Sequence, residues 1–146
     1  MKIRLSLLAL AGALLVAPVH LQAAEEPETE LSNKMDAMGS AFRALRRQIK
    51  DPAKNEDSLT KLATIKENAQ ASLKLEPAKK TTLPAGEQKK FVADYQARMK
   101  EFVGLVDKVE KALKANNNAE AEKLVGAMAD AQKKGHADFQ KKKEKK

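Results

Sequence analysis

Apolar residues recur along this chain at steps of three and four, in four separate stretches. Between about Glu28 and Lys50 they fall at Leu31, Met35, Met38, Phe42, Leu45 and Ile49, which is one stripe on an α-helix. The opposite face is small or charged, with Arg43, Arg46, Arg47 and Lys50 crowding the C-terminal half, where cations suit the helix dipole. Asp51-Pro52 ends the stretch, because the residue before a proline is pushed out of the helical region. A second stripe runs Leu59, Leu62, Ile65, Ala69 and Leu73, with Asn55 as its expected N-cap ahead of the acidic first turn of Glu56 and Asp57. The third is the most regular: Phe91, Tyr95, Met99, Phe102, Val106, Val109 and Leu113 predict a helix of about 28 residues, or about 40 Å. The fourth carries Ala121, Leu124, Val125, Met128, Ala131 and Phe139, and gives way to a lysine-rich tail over residues 141–146.

The joins between these stretches set the architecture. Residues 76–86 have no periodicity but two prolines and a glycine, and form the long connection. Pro84 suits the opening of the next helix, where its missing N–H costs nothing. Asn116-Asn117-Asn118 is a tight break, with Asn118 expected to cap the fourth helix. No stretch alternates with period two, so strands are not expected. The prediction is an all-α domain over residues 24–140, an antiparallel up-down-up-down four-helix bundle whose narrow stripes suit nearly aligned packing.

Residues 1–23 follow a different rule. Lys2 and Arg4 precede an apolar run from Leu5 to Val16, then Pro18 and a Leu21-Gln22-Ala23 cleavage pattern, the layout of a secretory signal peptide. The run is too short to span a bilayer, so cleavage is expected in place of stable membrane insertion. Cleavage takes away Lys2 and Arg4 and no acid, so a net charge of +8 becomes +6. With no cysteine, lipid anchoring, disulfides, thioether-attached haem and thiolate-held iron–sulfur clusters are all excluded. Export, one tyrosine and no tryptophan argue against a nucleic-acid partner. A positive surface in the periplasm instead steers the protein toward an acidic partner or an anionic membrane surface.

Once His20 leaves with the signal, His136 is the sole histidine. A lone histidine without cysteine builds no ordinary zinc site, and Glu-x-x-His pairs, Gly-rich phosphate loops and Gly-x-Ser-x-Gly are absent. Enzymatic activity is therefore not expected. In an up-down bundle the start of the first helix and the end of the last share one end. Met35 lies there within the first stripe. His136 borders the fourth stripe, at helical offsets from Val125, Met128, Gln132 and Phe139, and is expected to reach the interior. Both are about 10–15 Å from that end. Plainer readings stay open: Met35 as core filler, and His136 as a solvated or dipole-compensating residue.

Leu31-Ser32-Asn33-Lys34-Met35-Asp36-Ala37-Met38, continuing through Phe42-Arg43-Ala44-Leu45-Arg46-Arg47, resembles the first helix of the soluble cytochrome b562 family. Lys133-Lys134-Gly135-His136-Ala137-Asp138-Phe139 resembles its last, and the likeness takes in the proline-bearing connection and the aromatic third helix. That cytochrome is itself a standard example of the up-down bundle, so the fold expectation is partly borrowed from it. The resemblance implies a periplasmic one-electron carrier with a non-covalent b-type haem, iron protoporphyrin IX, held by Met35 and His136, with Phe102 against the macrocycle. Two protein ligands leave no position for oxygen or substrate, and a thioether raises the potential relative to a second imidazole. Met38, one turn from Met35, is a competing ligand. Leu31, Met38, Phe42, Phe102, Val106 and Met128 are the expected walls. Gly39 and Gly135 either clear space for the macrocycle or serve close helix packing or a frayed end. Lys34, Lys133 and Lys134 either attract propionates or an acidic redox partner, or are simply solvated. The connection at Asn116 to Asn118 is about one turn shorter than the family pattern. Two other functions remain: a haem-free periplasmic binding or chaperone-like protein, and haem storage or sensing at the same site.

Overall fold

The computed structural model describes residues 29–141. The secretory segment lies outside them, as do residues 142–146 of the lysine-rich tail. Four α-helices follow one another: α1 Glu30–Gln48, α2 Asn55–Ser72, α3 Ala85–Lys114 and α4 Asn118–Phe139, with no strand among the described residues. Short 3-10 turns, Pro52–Lys54 and Ala78–Thr82, sit in the first two connections. This is the expected all-α four-helix bundle. α1 packs on α2, α2 on α3 and α3 on α4. Antiparallel order shows in the cross-links, where Tyr95 of α3 meets Ser72 of α2 and Asp107 meets Lys66.

Local chemistry explains most boundaries. Thr29 caps α1 by accepting a hydrogen bond from the Ser32 N–H at 3.1 Å, and the Asp51 carboxylate accepts from the Ala53 N–H at 3.0 Å in the turn beyond. These bonds satisfy backbone donors that a helix start leaves open. At the end of α3, Asn116 adopts φ +53°, a left-handed conformation that asparagine tolerates better than most residues. That conformation lets the Asn116 and Asn117 N–H groups donate back to Leu113 and Ala112, each at 2.9 Å, as in a Schellman closure.

Two capping expectations are corrected. Lys54, not Asn55, occupies the N-cap position of α2 and makes no side-chain cap. Asn117, not Asn118, caps α4 by accepting from the Glu120 N–H at 3.1 Å. The reason is a competing use for both amides. Asn55 is buried and donates to Asn116 and Asn118 Oδ1 at 3.2 Å, and Asn118 Nδ2 donates to Ile49 O and Asn55 Oδ1 at 2.8 Å. Long-range bonds between otherwise unpaired buried groups outweigh local ones that water can supply.

The main core lies along the middle of the bundle and toward this asparagine end. Leu45, Leu62, Ile65, Val106, Val109, Leu113 and Met128 are wholly buried there, with Ile49, Ala121 and Val125 beside them. Leu31, Met38 and Tyr95 are buried toward the opposite end and stand outside that cluster.

Candidate functional site

Among the described residues the backbones of α1 and α4 approach less closely than those of α1 and α2, α2 and α3, or α3 and α4, although Phe42, Leu45 and Ile49 of α1 share one core with Ala121, Val125 and Met128 of α4. The ties across this α1–α4 seam lie where α1 finishes and α4 begins: Lys50 Nζ pairs with Glu122 Oε1 at 2.8 Å, and Asn118 bonds Ile49 O. At 1.5 Å per residue, the Ile49–Asn118 tie puts Met35 about 21 Å up α1 and His136 about 27 Å up α4, and the Lys50–Glu122 tie puts them about 22 and about 21 Å up. His136 therefore stands between level with Met35 and about one turn above it.

Side-chain direction works against that offset. A helical side chain leans toward the N-terminus of its own helix. α1 starts at the open end and α4 starts at the tied end, so Met35 leans up the seam and His136 leans down it. The same two ties put Met38 about 3 to 10 Å below His136, in each case one turn farther down than Met35. Met35 is half-buried, whereas Met38 is 6 % exposed.

His136 is exposed, and its imidazole takes no hydrogen-bond partner among the described residues. This differs from the expectation that it reaches the interior. Its direction on the helix is as expected, about 20° from that of buried Val125. Cover is what it lacks, because α1 approaches α4 less closely than α3 does.

Of the expected walls, Phe42, Val106 and Met128 meet in the main core with Phe102 packed against it, while Leu31 and Met38 are buried higher up. Lys34 is half-buried, and Lys133 and Lys134 are exposed. A Cβ added at Gly135 would meet nothing within 4 Å, and α4 continues through it to Phe139, so neither close packing nor fraying accounts for that glycine. At Gly39 the added atom would meet Arg43 Nη1 at 3.4 Å.

One group of contacts escaped the sequence reading. Phe139 packs on Phe91 and Tyr95 with ring centroids 5.3 and 5.6 Å apart. Tyr95 donates its hydroxyl to Ser72 O at 3.1 Å, and burial pushes its phenol up to about 12. Lys79 Nζ donates to Asp138 O at 2.6 Å, satisfying a carbonyl that the helix end leaves open. Together these hold the last turn of α4, the turn carrying His136, against α3 and the connection before it. An open cleft of about 620 Å³ borders the cluster on its outer side, lined by Lys79, Phe91, Arg98 and Phe139 among others and by no residue of α1.

Among the described residues no cluster of three or more histidine, aspartate or glutamate side chains is placed to hold a metal ion. One imidazole and one thioether on facing helices suit a metal that is already held by a macrocycle and takes two axial ligands. Leu31, Met38 and Phe42 are apolar and buried on the helix that carries Met35, and a Cβ at Gly135 would meet no atom beyond its chain neighbours within 4 Å, so the side chains near the two donors fit the apolar surroundings such a group needs. No helix of the described residues is long and apolar enough to cross a membrane. The model of the cytochrome b562 family matches residues 30–140, all four helices. No curated protein and no solved structure matches the chain.

Proposed function

The chain belongs to the cytochrome b562 family, a family of haem-binding electron carriers and not of enzymes, and from that premise we propose a periplasmic protein that carries one electron on a b-type haem held by Met35 and His136. The observation that supports this ligand pair is their position near the same end of α1 and α4, the neighbouring helices whose backbones approach least closely, with side chains that lean toward each other along them. When bound, haem supplies a one-electron couple at its iron. Met35 offers a soft sulfur that favours the reduced metal, and His136 offers a ring nitrogen that no internal hydrogen bond occupies. Leu31, Met38, Phe42 and Phe102 keep water from the site, and Val106 and Met128 back them from the core. Export follows from the cleavable segment at residues 1–23, and Lys34, Lys133 and Lys134 are placed to meet propionates or an acidic redox partner.

Adding haemin to the purified apoprotein and reducing it tests the reading. A sharp low-spin spectrum is expected, lost in both Met35→Ala and His136→Ala and kept in Met38→Ala. A high-spin spectrum common to the native chain and Met35→Ala would remove methionine as a ligand. A colourless preparation that ignores added haemin would overturn the haem reading in favour of a haem-free binding protein.

A further inference from the structure

Most cations of this bundle whose partners are visible face an acid: Lys50, Lys66, Lys90 and Arg98 each pair with a carboxylate. Arg43, Arg46 and Arg47 do not. All three are exposed on α1, and none has a carboxylate partner among the described residues. Two of them are nevertheless held in place. Arg43 folds back along the helix to donate from Nη2 to Ser40 Oγ at 2.9 Å, passing over Gly39, where a Cβ would stand 3.4 Å from its Nη1. Arg46 lies over the Phe42 ring, with Cζ 6.0 Å from the centroid, a cation–π contact. Both lean toward the start of α1, so their charge gathers over the turn from Gly39 to Phe42.

We propose that Arg43, Arg46 and Arg47 form a docking surface for a carboxylate cluster on a partner protein. A guanidinium presents two parallel N–H groups that match a carboxylate, and a pre-positioned one loses less freedom on binding than a solvated lysine. Arginine is also among the residues that carry most of the energy at protein interfaces. A membrane is the weaker occupant. The apolar stripe of α1 is buried against α2, so no apolar face remains to enter a bilayer, and recruitment to anionic lipid takes clusters of about four to eight cations. The surface stands without the haem reading. If that reading holds, the partner docks over Phe42, one of the walls of the haem site, which suits the small, electrostatically steered encounters of electron carriers.

The test titrates a decaglutamate peptide into the purified full chain at low salt, with and without haemin, while following amide chemical shifts. Shifts are expected around Ser40 to Arg47, with affinity falling at least tenfold in an Arg43→Gln, Arg46→Gln, Arg47→Gln variant. A control with equal charge loss, Lys89→Gln, Lys100→Gln, Lys108→Gln on α3, should fall less than threefold. Changing the three arginines to lysine keeps the charge, removes the fork, and should still weaken binding severalfold. The positions are exposed, so thermal unfolding checks that each variant is folded. Equal loss in the two glutamine variants, or full binding by the lysine variant, would overturn the surface. So would sedimentation with phosphatidylglycerol vesicles that depends on the arginines when peptide binding does not. Loss of haem binding with peptide binding intact would sink the proposed function and leave the surface standing.

Discussion

The two ends of the bundle are held by different forces. Where α1 and α4 are tied, the amides of Asn55, Asn116 and Asn118 interlock, Asn118 reaches Ile49 O, and the α3–α4 turn closes on its own backbone. A partly buried network centred on buried Asn55 fixes the register of three chain segments at once. At the other end, rings and one lysine hold α4 to α3, and the link from α4 to α1 is slight. Directional bonds lock the end that has no chemistry to perform. The end carrying Met35 and His136 is held by ring packing, by the Lys79 bond to Asp138 O and by the Tyr95 bond to Ser72 O, with no interlocked network joining α1 to α4 there among the described residues.

The largest break in this comparison should come from the core of the tied half. Leu45→Ala, at a wholly buried position, is expected to cost about 2–5 kcal/mol in denaturant unfolding, whereas Met35→Ala in the apoprotein should cost about 1 kcal/mol or less, because that side chain is already half in water. Asn118→Ala leaves the Ile49 carbonyl and the Asn55 Oδ1 without their donor, while Asn55 Nδ2 keeps Asn116, and is expected to cost about 1–3 kcal/mol. Adding Asn55→Ala to it should cost less than the sum of the single changes. Phe139→Ala removes two ring contacts worth about 0.5–1.5 kcal/mol each. Its signature is faster amide exchange confined to the last turn of α4, with the asparagine end unchanged. The pH test is subtler. Burial raises the Tyr95 phenol to about 12 from an ordinary value of about 10, so the folded chain holds this proton more tightly than the unfolded one. Its contribution is full below pH about 10 and is lost as pH rises toward about 12, and Tyr95→Phe should flatten that decline in unfolding curves. Lys50→Gln should leave stability unchanged, since its pair with Glu122 is exposed.

Periodicity made the fold legible. The stripes name nearly every wholly buried apolar side chain, since each reports a face that another helix must cover, and Pro84 marks the start of α3. Rules that look only a few residues along the chain did less well. Asn55 and Asn118 read as caps because a capping rule sees the local N–H groups and not a carbonyl far away in sequence. His136 shows the same limit at the site: its direction follows from spacing, but its exposure depends on how closely a different helix approaches. Lys79 gave no sign at all, since a lysine in a proline-bearing connection looks like any solvated one. The family was legible in two short motifs because their order and separation follow from which helix ends meet.

Unequal helix lengths finally bear on how such a molecule is loaded. With thirty residues α3 is a mast about 45 Å tall, and α1, with nineteen, is a stave of about 28 Å beside it. Their feet are level at the asparagines, so the whole mismatch falls at the top. A visitor sliding down from above meets the tip of the stave first and leaves the mast undisturbed. If haem binds between α1 and α4 as proposed, its entry and exit would call on the first turn of α1, a local opening cheaper than unfolding the domain.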